Sequence, residues 1–313
     1  MKTIRGLITK STGSWYQVLD TEHHTFYEAR IRGKFKLKKT RLTNPIAVGD
    51  WVSFQLEPDG VAWITEIEPR KNYLIRKSVN LSKEAHIIAS NIDIACFLYT
   101  LKSPETSLGF LDRFLVCCEA YNIKPLILFN KIDILDEEEL SLIADIRKDY
   151  ENIGYQTLDI SSRNAINIEL LKSILKDKIS VFFGHSGCGK STLANTLQPS
   201  LNLKTSEISD YHLKGKHTTT FAQMHFWDFG GSIIDTPGVR EFAMIDVQKE
   251  EIQHYFPEIF EAKESCKFHN CMHLNEPKCE VITKVENGTI CTSRYATYLK
   301  LLEEAEEVKS NFF

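Results

Sequence analysis

Two short stretches of this 313-residue chain carry residue types and spacings suited to nucleotide chemistry. The octapeptide GHSGCGKS at residues 184–191 has the form G-x-x-x-x-G-K-[ST]. Glycines at Gly184, Gly187 and Gly189 let the backbone curl through His185, Ser186 and Cys188 until its N–H groups converge on anionic oxygens at a helix N-terminus. Lys190 would then reach the β- and γ-phosphates, Ser191 would present its hydroxyl to Mg²⁺, and Thr192 would begin the helix behind the phosphates. The second stretch is Asn130-Lys131-Ile132-Asp133, of the form N-K-x-D. A carboxylate set edge-on to guanine accepts from both N1–H and the 2-amino group, where adenine has no donor to offer. Asp133 would therefore discriminate between the bases, since a pocket built for hydrogen bonds leaves its polar groups unpaired with the wrong partner. Asn130 would brace neighbouring loops or contact N7, and the Lys131 stem would lie along the base. One strand later, backbone N–H groups at Ser161 and Ser162 would meet guanine O6.

The metal side of such a site needs further oxygens. Asp235-Thr236-Pro237-Gly238 supplies a carboxylate, Asp235, to act on Mg²⁺ directly or through water, and the Gly238 N–H would meet the γ-phosphate. Between these stretches lies Lys216-His217-Thr218-Thr219-Thr220, poor in apolar residues. Thr218 or Thr219 would close over the metal when the γ-phosphate is present, an order–disorder switch. Near the C-terminal end, Cys266, Cys271, His273 and Cys279 place four soft or borderline ligands within fourteen positions, a density suited to tetrahedral Zn²⁺. His269 and Cys291 stand close enough to substitute for members of that set.

The elements that must position these groups follow from hydrophobic period. Residues 1–68 read as five short strands, at 3–9, 15–19, 25–37, 50–57 and 61–67, separated by turn signals, which suggests a small closed barrel of the oligonucleotide-binding (OB) type. Along the third strand Arg30, Arg32, Lys34, Lys36 and Lys38 fall at every second position, and Lys39 and Arg41 extend the run. An extended chain would gather these cations on one face, suited to a phosphate backbone. A polar, basic connector at 69–91 reads as an interdomain linker or a mobile contact segment. From residue 92 strands and helices alternate: strands at 92–100, 124–129, 154–158, 179–183, 221–226 and 232–234, and helices at 137–150 and 166–176 and around Leu111, Phe114, Leu115 and Cys118. That alternation predicts an α/β sandwich whose largely parallel sheet collects ligands at the carboxyl ends of its strands. Tyr295, Tyr298, Leu299 and Leu302 repeat at helical spacing, predicting a final amphipathic helix packed on the body. The expected division is 1–68 barrel, 69–250 nucleotide domain and 251–313 metal-binding domain with the C-terminal helix.

Composition sets bounds on partners. Lys plus Arg number 38 against 42 acids, a formal charge of −4, so any basic surface must be local. No run of about 18 apolar residues and no secretory leader is present, giving an expectation of a cytoplasmic chain with no membrane contact. In a reducing compartment the eight cysteines favour metal ligation over disulfides.

In the GTP-binding proteins of usual order the phosphate loop precedes the base-reading tetrapeptide; here Asn130 precedes Gly184, as a circular permutation would produce. With permuted NKID, GHSGCGKS, KHTTT, DTPGVREF and CxxxxCxHxxxxxC, the chain resembles, over essentially its whole length, the RsgA (YjeQ) family of bacterial small-ribosomal-subunit-dependent GTPases. The resemblance implies a circularly permuted P-loop GTPase domain between an OB barrel and a zinc domain. It also implies hydrolysis of GTP to GDP stimulated by the 30S subunit, a role in late small-subunit maturation, and contact with 16S rRNA through the barrel and zinc domains. One structural Zn²⁺ per chain on Cys266, Cys271, His273 and Cys279, Mg²⁺ with GTP, and a monomeric state belong to the same expectation. Where Ras-like enzymes carry a water-orienting glutamine this chain has Val239, so intrinsic turnover should be slow. His217, in the family's GRHTTT-like motif, is the in-chain candidate for that task beside the catalytic Lys190, with the ribosome as the other source. Gly187 stands where potassium-activated relatives carry Asn. An RNA-binding module whose guanine site is only a sensor is the competing class, and a P-loop small-molecule kinase is disfavoured by Asp133.

Overall fold

A computed structural model describes residues 2–31, 45–58, 60–77, 85–203, 222–235 and 247–310. The expectations for Arg32, Lys34, Lys36, Lys38, Lys39, Arg41, His217, Thr218, Thr219 and Gly238 lie outside the described residues.

The first five strands close into a barrel. β1 (Ile4–Ser11), β2 (Tyr16–Asp20) and β3 (Thr25–Ile31) form an antiparallel meander. β4 (Trp51–Leu56) pairs with both β1 and β5 (Ala62–Ile67), and β5 closes the ring by running parallel beside β3. Alternation aims Ile8, Val18, Ala29, Val52, Phe54 and Ile64 into one core. Gly6 permits this closure, since a Cβ there would fall 2.5 Å from Val18 Cγ2 and 2.8 Å from Phe54 Cε1.

The basic connector is not a linker. It forms an antiparallel ribbon of β6 (Tyr73–Lys77) and β7 (Ala85–Ser90). Its charge hides four apolar residues, Leu74, Ile75, Ile87 and Ala89, that are all buried. The ribbon is also fastened to the barrel. Buried Asp50 accepts from Arg70 Nε and Nη2, each at 2.6 Å, and from Ser90 Oγ at 2.6 Å.

The nucleotide domain follows as β8 (Ile94–Tyr99), α1 (Leu108–Ala120), β9 (Pro125–Phe129), α2 (Glu137–Ile153), β10 (Gln156–Asp159), α3 (Ile168–Leu175), β11 (Ile179–Phe183), α4 (Lys190–Leu197), β12 (Gln223–Phe226) and β13 (Ser232–Asp235). Its strand order is β10-β9-β8-β11-β13-β12, parallel except for β12. β8 is apolar on both faces for a reason: Ala95, Phe97 and Tyr99 meet α1 and α2, whereas Ile94, Cys96 and Leu98 meet α3 and α4. From β8 the chain winds outward through β9 and β10, then returns to the other side of β8 with β11. The crevice between β8 and β11 is thus the switch point at which open α/β sheets bind ligands. β12 extends the sheet to the barrel through its pairing with β1 at Lys10 and Gln223.

The C-terminal part is helical: a 3₁₀ helix (Lys249–Tyr255), α5 (Pro257–Lys263), α6 (Glu280–Glu286) and α7 (Thr292–Ser310). Ile252, Phe256, Ile259, Val281, Tyr298 and Leu302 share its core with Val116 of α1, so the final helix does pack on the body. Among the described residues no helix is long and apolar enough to cross a membrane.

Candidate nucleotide site and metal cluster

Each motif lands at the carboxyl end of a parallel strand. β9 delivers Asn130 to Asp133, β10 delivers Ser161 and Ser162, β11 delivers the loop from Gly184, and β13 ends at Asp235. The phosphate loop needs its glycines. Gly184, Gly187 and Gly189 have φ of 138°, 82° and 107°, values that a side chain resists. A Cβ on Gly189 would also meet Asn130 Nδ2 at 2.5 Å, and one on Gly184 would meet Leu98 O at 2.7 Å. Inside the curl, Lys190 Nζ donates to the carbonyls of Gly184 at 2.7 Å and His185 at 2.8 Å. Ser191 and Cys188 are buried beneath it, and burial pushes the Cys188 thiol up, so it packs as an uncharged group.

The base-reading loop and the phosphate loop are one hydrogen-bonded unit although 50 residues separate them. Buried Asn130 donates from Nδ2 to Cys188 O at 2.8 Å, and its Oδ1 accepts from Ser162 N at 3.0 Å and Ser162 Oγ at 2.9 Å. Lys131, at φ 67°, turns its ammonium to the carbonyls of Ser103 and of Gly187, the latter at 2.7 Å. Thr196 Oγ1 of α4 donates to Ser162 O at 2.7 Å. Next to this junction Asp133 Oδ1 is buried and has no hydrogen-bond partner among the described residues. A buried carboxylate oxygen left unpaired costs free energy, and two adjacent N–H donors from a ligand would remove that cost.

Asp235 is the last residue of β13. Burial pushes its carboxyl above the ordinary carboxylate range, with the nearby His225 opposing. A cation held beside it would favour the ionised form.

Three of the cysteines and one histidine gather into a cluster near the C-terminal end. Sγ of Cys266, Cys271 and Cys279 and a ring nitrogen of His273 all lie within 4.8 Å of one another. Cys266 Sγ stands 3.9 Å from Cys279 Sγ and 3.7 Å from His273 Nδ1, and His273 Nδ1 stands 3.3 Å from Cys279 Sγ. Tetrahedral ligation with bonds of about 2.3 Å to sulfur and about 2.1 Å to nitrogen requires edges of roughly 3.8 and 3.6 Å, so the set is compatible with a metal ion. His269 is exposed, and Cys291 Sγ instead contacts Ser293 Oγ at 3.2 Å. Burial holds the His273 ring down to about 4, leaving it neutral, and pushes the Cys271 thiol up to about 12, where only a cation would hold it as thiolate.

Of the cation run only Arg30 is described. It is exposed on β3 beside buried Ala29, with its guanidinium 3.6 Å from the centre of the Trp15 ring. Several contributors carry no motif and escaped the sequence reading. Ser103 offers its carbonyl to Lys131, Phe110 of α1 stacks on His185 at 4.2 Å between ring centres, and Gln253 meets His273.

A family model described as "RsgA GTPase" matches residues 67–245, and one described as "RsgA N-terminal domain" matches residues 5–64. The chain is 50% identical over 308 residues to "Small ribosomal subunit biogenesis GTPase RsgA" of Christiangramia forsetii, covering 97% of each. It is 48% identical over 306 residues to "Small ribosomal subunit biogenesis GTPase RsgA 2" of Bacteroides thetaiotaomicron, covering 98% of each. Among solved structures it resembles YjeQ from Thermotoga maritima, with a TM-score of 0.80 and 34% identity over 97% of this chain and 99% of that one. It also resembles YloQ, described as a circularly permuted GTPase, with a TM-score of 0.76 and 33% identity over 98% and 96% of the two chains.

Proposed function

This chain belongs to the RsgA family of circularly permuted small ribosomal subunit biogenesis GTPases, and from that premise we propose how its residues divide the work. Asp133 accepts from guanine N1–H and the 2-amino group, Asn130 ties base loop to phosphate loop, the Lys131 stem lies along the base, and the backbone at Ser161 and Ser162 meets O6. The backbone from Gly184 to Thr192 cradles the phosphates, and Lys190 neutralises charge that grows between the β- and γ-phosphates as the bond to the γ-phosphorus breaks. Ser191 and Asp235, with Thr218 or Thr219, would hold Mg²⁺, which would supply positive charge to the phosphates; Gly238 would offer its N–H to the γ-phosphate. His217 orients the attacking water, a role that rests on its motif position and on Val239 having no hydrogen-bonding group.

The observation that carries this reading is the unpartnered buried oxygen of Asp133 beside an asparagine bonded to the phosphate loop. Cys266, Cys271, His273 and Cys279 hold one structural Zn²⁺, supported by their tetrahedral edges. The barrel contacts 16S rRNA through Arg30 and the cations up to Arg41, and the protein acts in late 30S maturation in the cytoplasm, where that substrate is. A monomeric state is part of the same proposal. The division near residues 68 and 250 is part of the same proposal.

Hydrolysis of GTP and ATP, with and without purified 30S subunits across a salt series, tests this. GTP turnover should rise by orders of magnitude with 30S while ATP is not hydrolysed, and the stimulation should fall steeply with salt, by a factor set by about 0.9 counterions per phosphate contact. Equal GTP turnover with and without 30S would reject it. Assembly that proceeds normally with Lys190→Ala would favour the sensor module instead.

A further inference from the structure

The Cys/His cluster has a partner outside its four ligands. Gln253, buried in the 3₁₀ helix Lys249–Tyr255, places Oε1 3.0 Å from His273 Nε2. Its amide cannot be turned round at no cost, because Nε2 donates to Glu250 O at 2.8 Å. The oxygen therefore faces the imidazole, so His273 Nε2 must carry the proton and donate. That tautomer leaves the lone pair on Nδ1, the nitrogen that stands 3.3 Å from Cys279 Sγ and 3.7 Å from Cys266 Sγ. The hydrogen bond and the ligand geometry thus select the same ring nitrogen by independent routes.

We propose that Gln253 is the positioning residue of the metal cluster: it holds His273 as an Nδ1 ligand and fastens the metal loop to the helix Lys249–Tyr255. This rests on the reading of the cluster as a Zn²⁺ site. Metal-bound histidines commonly donate their second N–H to an oxygen that fixes ring orientation and raises basicity, and loss of that oxygen costs metal affinity. The rest of the loop is anchored separately. The Glu276 carboxylate accepts from the backbone N–H of Met272 at 2.7 Å, Leu274 at 2.7 Å and Asn275 at 3.1 Å, and Tyr298 of α7 donates to Met272 O at 2.9 Å. Removing the Gln253 amide therefore frees the ring while the loop keeps its other supports.

Zinc affinity of the full-length protein, measured by competition with a chromophoric chelator, tests the assignment in Gln253→Leu and Gln253→Glu. Leucine fills the space but accepts nothing, and affinity should fall by about 10–100-fold. Glutamate still presents an oxygen to Nε2–H, and affinity should stay within a few-fold of wild type. A packing role predicts the reverse order, with the buried carboxylate the more damaging change, and that order would overturn the proposal, as would an unchanged leucine variant. Should the leucine variant fail to fold, ¹⁵N spectra of the wild-type zinc protein decide: a proton on His273 Nε2 with metal on Nδ1 is expected, and the opposite tautomer overturns it. Wild-type protein that takes up no zinc would instead defeat the underlying site reading.

Discussion

Asp133→Asn should weaken GTP binding by about 10²–10⁴-fold. The aspartate would accept two hydrogen bonds from guanine; losing the one to the 2-amino group costs roughly 1.5–3 kcal/mol and leaving two donors face to face costs roughly 1–3 kcal/mol more, with every 1.4 kcal/mol worth tenfold. Asparagine keeps the shape but turns one acceptor into a donor, which then faces the 2-amino group. The same change should improve binding of xanthosine triphosphate, whose C2 oxygen accepts from the new NH₂ while N1–H still finds the amide oxygen. The cost is large because Asp133 Oδ1 is buried with no partner among the described residues. Titration of the wild type and the variant with GTP, xanthosine triphosphate and ATP measures it. An asparagine variant that binds GTP as tightly as wild type would remove Asp133 from the base pocket.

The second large effect concerns the joint between the nucleotide domain and the C-terminal helices. Arg294 of α7 is 1% exposed, and it donates to Asp112 of α1, itself 0% exposed, and to Glu258 of α5. Asp112 also accepts from Tyr150 Oη at 2.7 Å and Thr297 Oγ1 at 2.8 Å. Burial alone would lower the Arg294 pKa, yet the charges of Glu258 and Asp112 raise it well above the ordinary arginine value. Arg294→Leu strands two carboxylates, one of them fully buried, and should cost about 3–5 kcal/mol. At roughly 2–4 °C per kcal/mol, the calorimetric transition that includes α1 and α7 should drop by about 6–20 °C. Adding Asp112→Leu should recover part of that loss, since replacing both partners of a buried pair is far milder than removing one. A single variant that melts with the wild type would show that the network contributes no stability.

Much of the site was legible because its chemistry is local in sequence. A phosphate cradle is built from consecutive amides, so GHSGCGKS with an apolar run before it places strand, loop and helix at once. NKID is likewise a strand end plus a turn. What the sequence could not show is the cross-talk: Asn130 to Cys188 spans 58 residues and Gln253 to His273 spans 20, and neither glutamine nor asparagine advertises its partner. The ribbon β6–β7 was misread for a different reason. Arg70, Lys71, Arg76 and Lys77 dominate the stretch that contains its first strand, whereas Leu74, Ile75, Ile87 and Ala89 and the bonds of Arg70 and Ser90 to Asp50 fix where it docks. The Cys/His cluster was legible as a group but not as a set of four. Proximity in sequence admits His269 and Cys291, and only backbone geometry, including His273 at φ 59°, turns Cys266, Cys271, His273 and Cys279 to one point.

The central claim is that the loop at Asp133 and the loop at Lys190 grip opposite ends of one nucleotide. A crystal structure of the full chain with Mg²⁺ and a non-hydrolysable GTP analogue measures this directly. The account predicts guanine N1 and the 2-amino nitrogen within hydrogen-bond distance of the Asp133 carboxylate, and β- and γ-oxygens of the same molecule against Lys190 Nζ. An analogue whose phosphates lie in the glycine loop while its base sits away from Asp133 would contradict it.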